Sequence, residues 1–178
     1  MPNGFFKTDG SCLLNISVQD ILQCDSEVIV FSAHPSLRAG SGVSGIIHKA
    51  SGFELEANAI KFAPLEVGEA IVTQGFGLKA KYVIHTVCPR YIYGDINEES
   101  LLSQAYRSAL SLVTKVNGAR SIAFVSLGTG VYRWPVAKAA RIAIKELLQS
   151  EFDSTSICLA DGATSAAYLE EYKKQTTG

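Results

Sequence analysis

The chain has 178 residues, 47% of them hydrophobic, enough to bury a substantial core at this length and within the range of one compact domain. Sixteen Lys and Arg against seventeen Asp and Glu leave a formal net charge of −1 with no basic run, which argues against a surface that tracks a nucleic-acid backbone. No window approaches the roughly 20 continuous apolar residues of a membrane span, and residues 1–10 lack the regions of a secretory signal, so a soluble cytoplasmic protein is expected.

Short apolar runs at 12–17, 27–32, 69–74, 81–87, 121–125 and 155–159 alternate with longer stretches of helical period, the pattern of an α/β fold whose sheet is covered on both faces. Helices are predicted over 100–116, 136–148 and 163–174, with Glu98 to Ser100 as a polar start for the first and Pro135 at the first turn of the second. A single domain over 1–178 follows, with only 1–10 and 175–178 read as loose. Cys12, Cys24, Cys88 and Cys158 are scattered, without metal-ligand spacing, and read as reduced core thiols, so no metal site is expected.

Residues 38–50 place Gly40, Gly42 and Gly45 ahead of an apolar helical stretch, a loop able to present several backbone N–H groups to an anion at a helix N-terminus. Residues 40–45 also match G-x-G-x-x-G, but a dinucleotide fingerprint needs its first glycine at a strand end, whereas here residues 34–39 intervene. A second glycine-rich loop follows the strand at 121–125: Ser126, Leu127, Gly128, Thr129, Gly130, Val131 and Tyr132. Two such loops at the carboxyl ends of two strands can grip a diphosphate from opposite sides.

In their order, Gln19-Asp20-Ile21-Leu22, Gly40-Ser41-Gly42-Val43, the strands at 70–73, 81–87 and 121–124, and Gly128-Thr129-Gly130-Val131-Tyr132 resemble the macro domains over residues 14–168. The resemblance implies a three-layer α/β/α fold with a mixed, mostly parallel sheet, and free or protein-attached ADP-ribose as ligand, with no cofactor. It implies that Asp20 accepts from the adenine amine with Ile21 beside it, that Asp161 lies at the same end, and that Ala33, His34, Gly40 and Ser41 line the cleft. The N–H groups of Gly42, Val43, Thr129, Gly130 and Val131 would reach the phosphates, next to Ser126 and Gly128, and Tyr132 would line the distal ribose.

Hydrolytic members of the family carry Asn-Ala-Ala-Asn where this chain has Phe31, Ser32, Ala33 and His34, and an Asp where it has Ser44. Ala160 stands where an aromatic residue often covers adenine. Binding with hydrolysis lost or altered is therefore the leading expectation. The alternatives are a hydrolase of an O-acyl-ADP-ribose or ADP-ribosylated protein using His34 or Ser44, and a binder of another nucleotide or oligonucleotide in which Phe31 crowds the ribose pocket or, with His34, offers a stacking surface. His85 reads as a core histidine, and His48 has no evident partner.

Overall fold

The computed structural model describes residues 3–8 and 12–177. Seven strands form one sheet in the order β1-β2-β7-β6-β3-β5-β4: β1 Gly4–Lys7, β2 Leu13–Val18, β3 Val28–Ser32, β4 Ala70–Gln74, β5 Tyr82–Thr86, β6 Ser121–Val125 and β7 Ser154–Leu159. The five inner strands run parallel, and β1 and β4 close the edges antiparallel. The central strands β3 and β6 are nearly continuous apolar runs because both faces of a parallel sheet are covered. On β3, Val28 and Val30 enter the core on one side, while Ile29 and Phe31 enter the core on the other.

Helices α3 (Ile96–Ser111), α4 (Val136–Leu147) and α5 (Gly162–Thr176) pack on the first face. Helices α1 (Gly42–Ser51) and α2 (Phe53–Ala59) cover the second. The result is the three-layer α/β/α arrangement with a mixed, mostly parallel sheet. The four cysteines are buried and free of disulfides.

Two ends differ from expectation. Residues 4–7, read as loose, form β1, held by pairing with β2 and by Phe6 stacking on Tyr172 with ring centroids 3.9 Å apart. Residues 175 and 176, also read as loose, continue α5, where the Gln175 amide donates to the Arg141 carbonyl; residues 1, 2, 9–11 and 178 lie outside the described set. Helix α2 was not anticipated, and α3 starts earlier than predicted because the Asp95 carboxylate accepts from the Glu98 N–H at 2.9 Å.

The Glu98 carboxylate in turn accepts from the N–H groups of Ile92, Tyr93 and Gly94, fixing the backbone of the β5–α3 connection. Burial would push this carboxyl up, but the three donors overcome that and hold it below the ordinary carboxylate range. His85, on β5, is fully buried with Nε2 3.0 Å from the Thr73 hydroxyl, the core role expected of it.

Candidate functional site

Strands β6, β3 and β5 are neighbours, so the segments that follow them converge at one end of the sheet. They enclose a cleft of about 420 Å³. Of the residues singled out in the sequence, Ala33, His34, Gly40, Ser41, Gly42, Val43, Ser44, Ser126, Gly128, Gly130, Val131 and Tyr132 line it. Ser32, Arg90 and Val125 line it too and were not anticipated.

The first wall is the start of α1. Its N-cap, Ser41, makes no side-chain cap, so no capping side chain occupies the free N–H groups of the first turn. The Ser44 hydroxyl accepts from the Gly40 N–H at 3.2 Å, and the Glu56 carboxylate on α2 accepts from the Ala39 N–H at 2.7 Å, anchoring the loop from outside. Gly45 is required because a Cβ there would lie 2.5 Å from the Gly40 carbonyl oxygen.

The opposite wall is the loop after β6. Gly128 has φ +86°, and a Cβ on it would fall 2.6 Å from the Trp134 ring. Trp134 is immobilised there: its backbone N–H donates to the Gly128 carbonyl at 3.0 Å and its indole N–H to the Pro89 carbonyl at 2.9 Å. Thr129, expected in the cleft, turns its hydroxyl inward to the Ser126 carbonyl and Oγ at 3.1 and 3.0 Å. Tyr132 is half-buried, with the Arg90 guanidinium 5.5 Å from its ring centroid. Burial pushes its phenol up, and Arg90 opposes the shift.

Asp20 and Asp161 do not line this cleft but stand just beyond β2 and β7, two adjacent parallel strands, and therefore at the same sheet end. Asp20 caps a short 3-10 helix, Ile21–Gln23, accepting from the Leu22 N–H at 2.9 Å, and Ile21 itself is buried. Asp161 caps α5, accepting from Thr164 at 2.7 Å, and that backbone donor holds its carboxyl below the usual range. Both carboxylates are exposed, and the Asp20 cap engages one of its two oxygens.

Phe31 is corrected. It neither crowds the cleft nor offers a stacking face, because it is fully buried under α1, with its ring centroid 5.0 Å from that of His85 and 6.0 Å from that of His48. Strand alternation sends it to the face opposite Val30.

His34 is exposed at the rim. Its Nδ1 accepts from the Ser36 N–H at 3.1 Å, so a neutral ring carries its proton on Nε2 and offers a donor there, not a base. Among the described lining residues there is no carboxylate, and Arg90 supplies the permanent charge. No cluster of metal ligands occurs among the described residues.

The molecule is a three-layer α/β/α domain with a cleft between two glycine-rich turns at one end of its sheet. The chain belongs to the macro domain family, whose family model matches residues 30–143. It is 45% identical over 137 residues to a Cronobacter turicensis protein named O-acetyl-ADP-ribose deacetylase, covering 74% of this chain and 77% of that one. It is 41% identical over 154 residues to an uncharacterized Fusobacterium nucleatum protein, covering 83% and 87%.

Among solved structures, a mutant Oceanobacillus iheyensis macrodomain with ADPR superimposes with a TM-score of 0.92 at 34% identity, covering 99% of this chain and all of that one. The same macrodomain with ADP gives 0.91 at 34% identity, covering 99% and 97%. The Trypanosoma brucei macrodomain in complex with ADP-ribose gives 0.79 at 30% identity, covering 88% and 68%.

Proposed function

We propose that this chain binds ADP-ribose, free or attached to a protein, in the cleft between the two glycine-rich turns. The observation that carries the reading is the pairing of those turns: the uncapped start of α1 faces the loop 126–132 across a cleft whose lining includes Arg90 and, among the described residues, no acid. Such a surface suits a diphosphate, since backbone N–H groups at a helix start and in a glycine turn are fixed donors. Solved relatives that carry ADPR, ADP or ADP-ribose support the choice of ligand.

In this reading the N–H groups of Gly42, Val43, Thr129, Gly130 and Val131 hold the phosphates, with Gly40, Ser41, Ser126 and Gly128 shaping the turns. Tyr132, Ala33 and His34 meet the distal ribose, with His34 Nε2 donating to a ribose oxygen. Asp20, using the oxygen free of its cap, receives the adenine amine beside Ile21, and Asp161 borders the same end.

Hydrolysis is the second reading, favoured by the 45% identity to a protein named O-acetyl-ADP-ribose deacetylase. Against it stand the lining without a carboxylate and a His34 ring whose accepting nitrogen is already occupied, with Ser44 engaged by Gly40. Calorimetric titration with ADP-ribose, ADP and AMP, together with incubation with O-acetyl-ADP-ribose, separates the readings. Saturable binding that prefers ADP-ribose, without acetate release, is expected; steady acetate release would establish turnover, and equal affinity for AMP would overturn the ligand assignment.

A further inference from the structure

The sheet order gives a ligand laid across the glycine turns a direction. Asp20 and Asp161 stand beyond β2 and β7, the loop 126–132 follows β6, the turn leading into α1 follows β3, and residues 87–95 follow β5; taken in that order, each strand is the neighbour of the next. A ligand with its adenine at Asp20 and its diphosphate between the turns therefore brings its distal ribose toward the β3 and β5 side. ADP-ribose is joined to a protein through a carbon of that ribose, so an attached polypeptide leaves the cleft beside the connection after β5.

That connection is tied to the cleft. Arg90, Val131 and Tyr132 line it, and the Tyr91 N–H donates to the Tyr132 carbonyl at 2.9 Å. With about 3.8 Å between consecutive Cα atoms, those of Ile92 and Tyr93 lie within about 8 Å of that of Tyr91. Ile92, Tyr93 and Ile96 are 64%, 82% and 81% exposed, and Val131 is 73% exposed. Large apolar side chains gathered in one short segment, an aromatic ring among them, are the usual anchors of a protein contact. The Glu98 carboxylate already holds the N–H groups of Ile92, Tyr93 and Gly94, so a contact here has little backbone left to order.

Charge narrows the partner. The acids of this segment are engaged: Asp95 caps α3, Glu98 is turned to the backbone, and Glu99 pairs with Arg141 at 2.8 Å and with Lys138 at 3.7 Å. Arg90 and Arg133 are exposed, and neither has an ion-pair partner among the described residues. Two unpaired guanidinium groups beside exposed apolar side chains complement carboxylates flanked by apolar residues.

We propose that residues 90–96, with Val131 and Arg133, receive the polypeptide that carries the ADP-ribosyl group, and that the segment they fit is acidic, with apolar side chains next to the modified residue. This rests on the cleft being the site of ADP-ribose binding, with adenine at Asp20. Free ADP-ribose then uses the cleft alone, whereas the attached form also covers Ile92 and Tyr93.

Calorimetry with three ligands tests the assignment: free ADP-ribose, a short synthetic peptide bearing ADP-ribose on a serine flanked by Glu and Leu, and the same peptide with Lys in place of Glu. Each is titrated into the wild type and an Ile92→Ser, Tyr93→Ser double variant, with thermal unfolding as the check on folding; Tyr93→Ser alone gives the same comparison if the double variant fails to fold. The Glu peptide is expected to bind the wild type about tenfold more tightly than free ADP-ribose, the scale of partly covering two large side chains. The variant should lose that gain and bind free ADP-ribose as the wild type does. The Lys peptide should gain less than about threefold, since like charges oppose the apolar contact.

Equal affinity of the wild type for the Glu peptide and free ADP-ribose, or a gain that survives in the variant, would overturn the docking surface and leave the cleft assignment standing. A Lys peptide that gains as much would overturn the acidic partner. A wild-type dimer in sedimentation that the variant dissolves would put a second copy of the chain on this surface and overturn the proposal. Binding of none of the three ligands overturns the function proposed above, and this inference with it.

Discussion

Lowering the pH should destabilise this protein through a histidine that does not line its cleft. His85 is fully buried on β5, its Nε2 meets Thr73, and the rings of Phe31 and His48 have their centroids 5.0 and 6.2 Å from its own. Burial, aided by the neighbouring His48, lowers its pKa from 6.5 to about 3. The unfolded chain therefore binds this proton more readily than the folded one. Stability from this group is complete above about pH 6.5 and is lost as the pH falls from there toward about 3.

At about 1.4 kcal/mol per pKa unit, the loss between pH 7 and pH 5 comes to about 2 kcal/mol from His85 alone. His48, whose pKa burial also lowers, pushes in the same direction. Urea unfolding of the wild type and His85→Gln at both pH values measures it. The variant is less stable at pH 7, but its further loss on acidification should be smaller by about 2 kcal/mol; equal losses in the two proteins would refute the argument, since every other titrating group is common to both.

Gly128→Ala should lower unfolding stability by about 1–2 kcal/mol for the left-handed backbone alone, more if Trp134 cannot retreat, and should weaken ADP-ribose binding; an unchanged urea midpoint would contradict the clash with the ring. Asp20→Ala should reduce ADP-ribose affinity by about tenfold in calorimetry while leaving the affinity of inorganic pyrophosphate unchanged, if Asp20 receives the adenine amine as proposed. Glu98→Gln should speed hydrogen exchange at the Ile92, Tyr93 and Gly94 amides, read by NMR, with the central strands still protected.

The inner strands and both glycine turns were legible because each has a local signature: a strand covered on two faces is mostly apolar or β-branched, and a backbone that turns left-handed or packs closely on its neighbours takes glycine. Strand β1 was not, since Gly4–Lys7 is too short to show a period and is held by a partner strand and by Tyr172, over 160 residues away in the chain. Helix α2 was hidden for a similar reason, its seven residues sitting only one residue past α1.

Arg90 carries no local signal; it reaches the cleft because β5 is the neighbour of β3. Phe31 could have been placed correctly. Strand parity with Ile29 and its register opposite His85 send its ring to the α1 face, and the reading failed by following the family's alignment position in place of the side chain's direction.

The Glu98 carboxylate has a consequence for how the surface beside the cleft can change. Ile92 and Tyr93 are 64% and 82% exposed, yet the path of their backbone is set by N–H bonds to a residue outside the loop. The backbone path at 92 and 93 is thus uncoupled from those two side chains. Substitutions at 92 and 93 can alter what the protein displays two and three residues past Arg90 without altering where the display is held, so the loop behaves as an interchangeable label on a fixed mount.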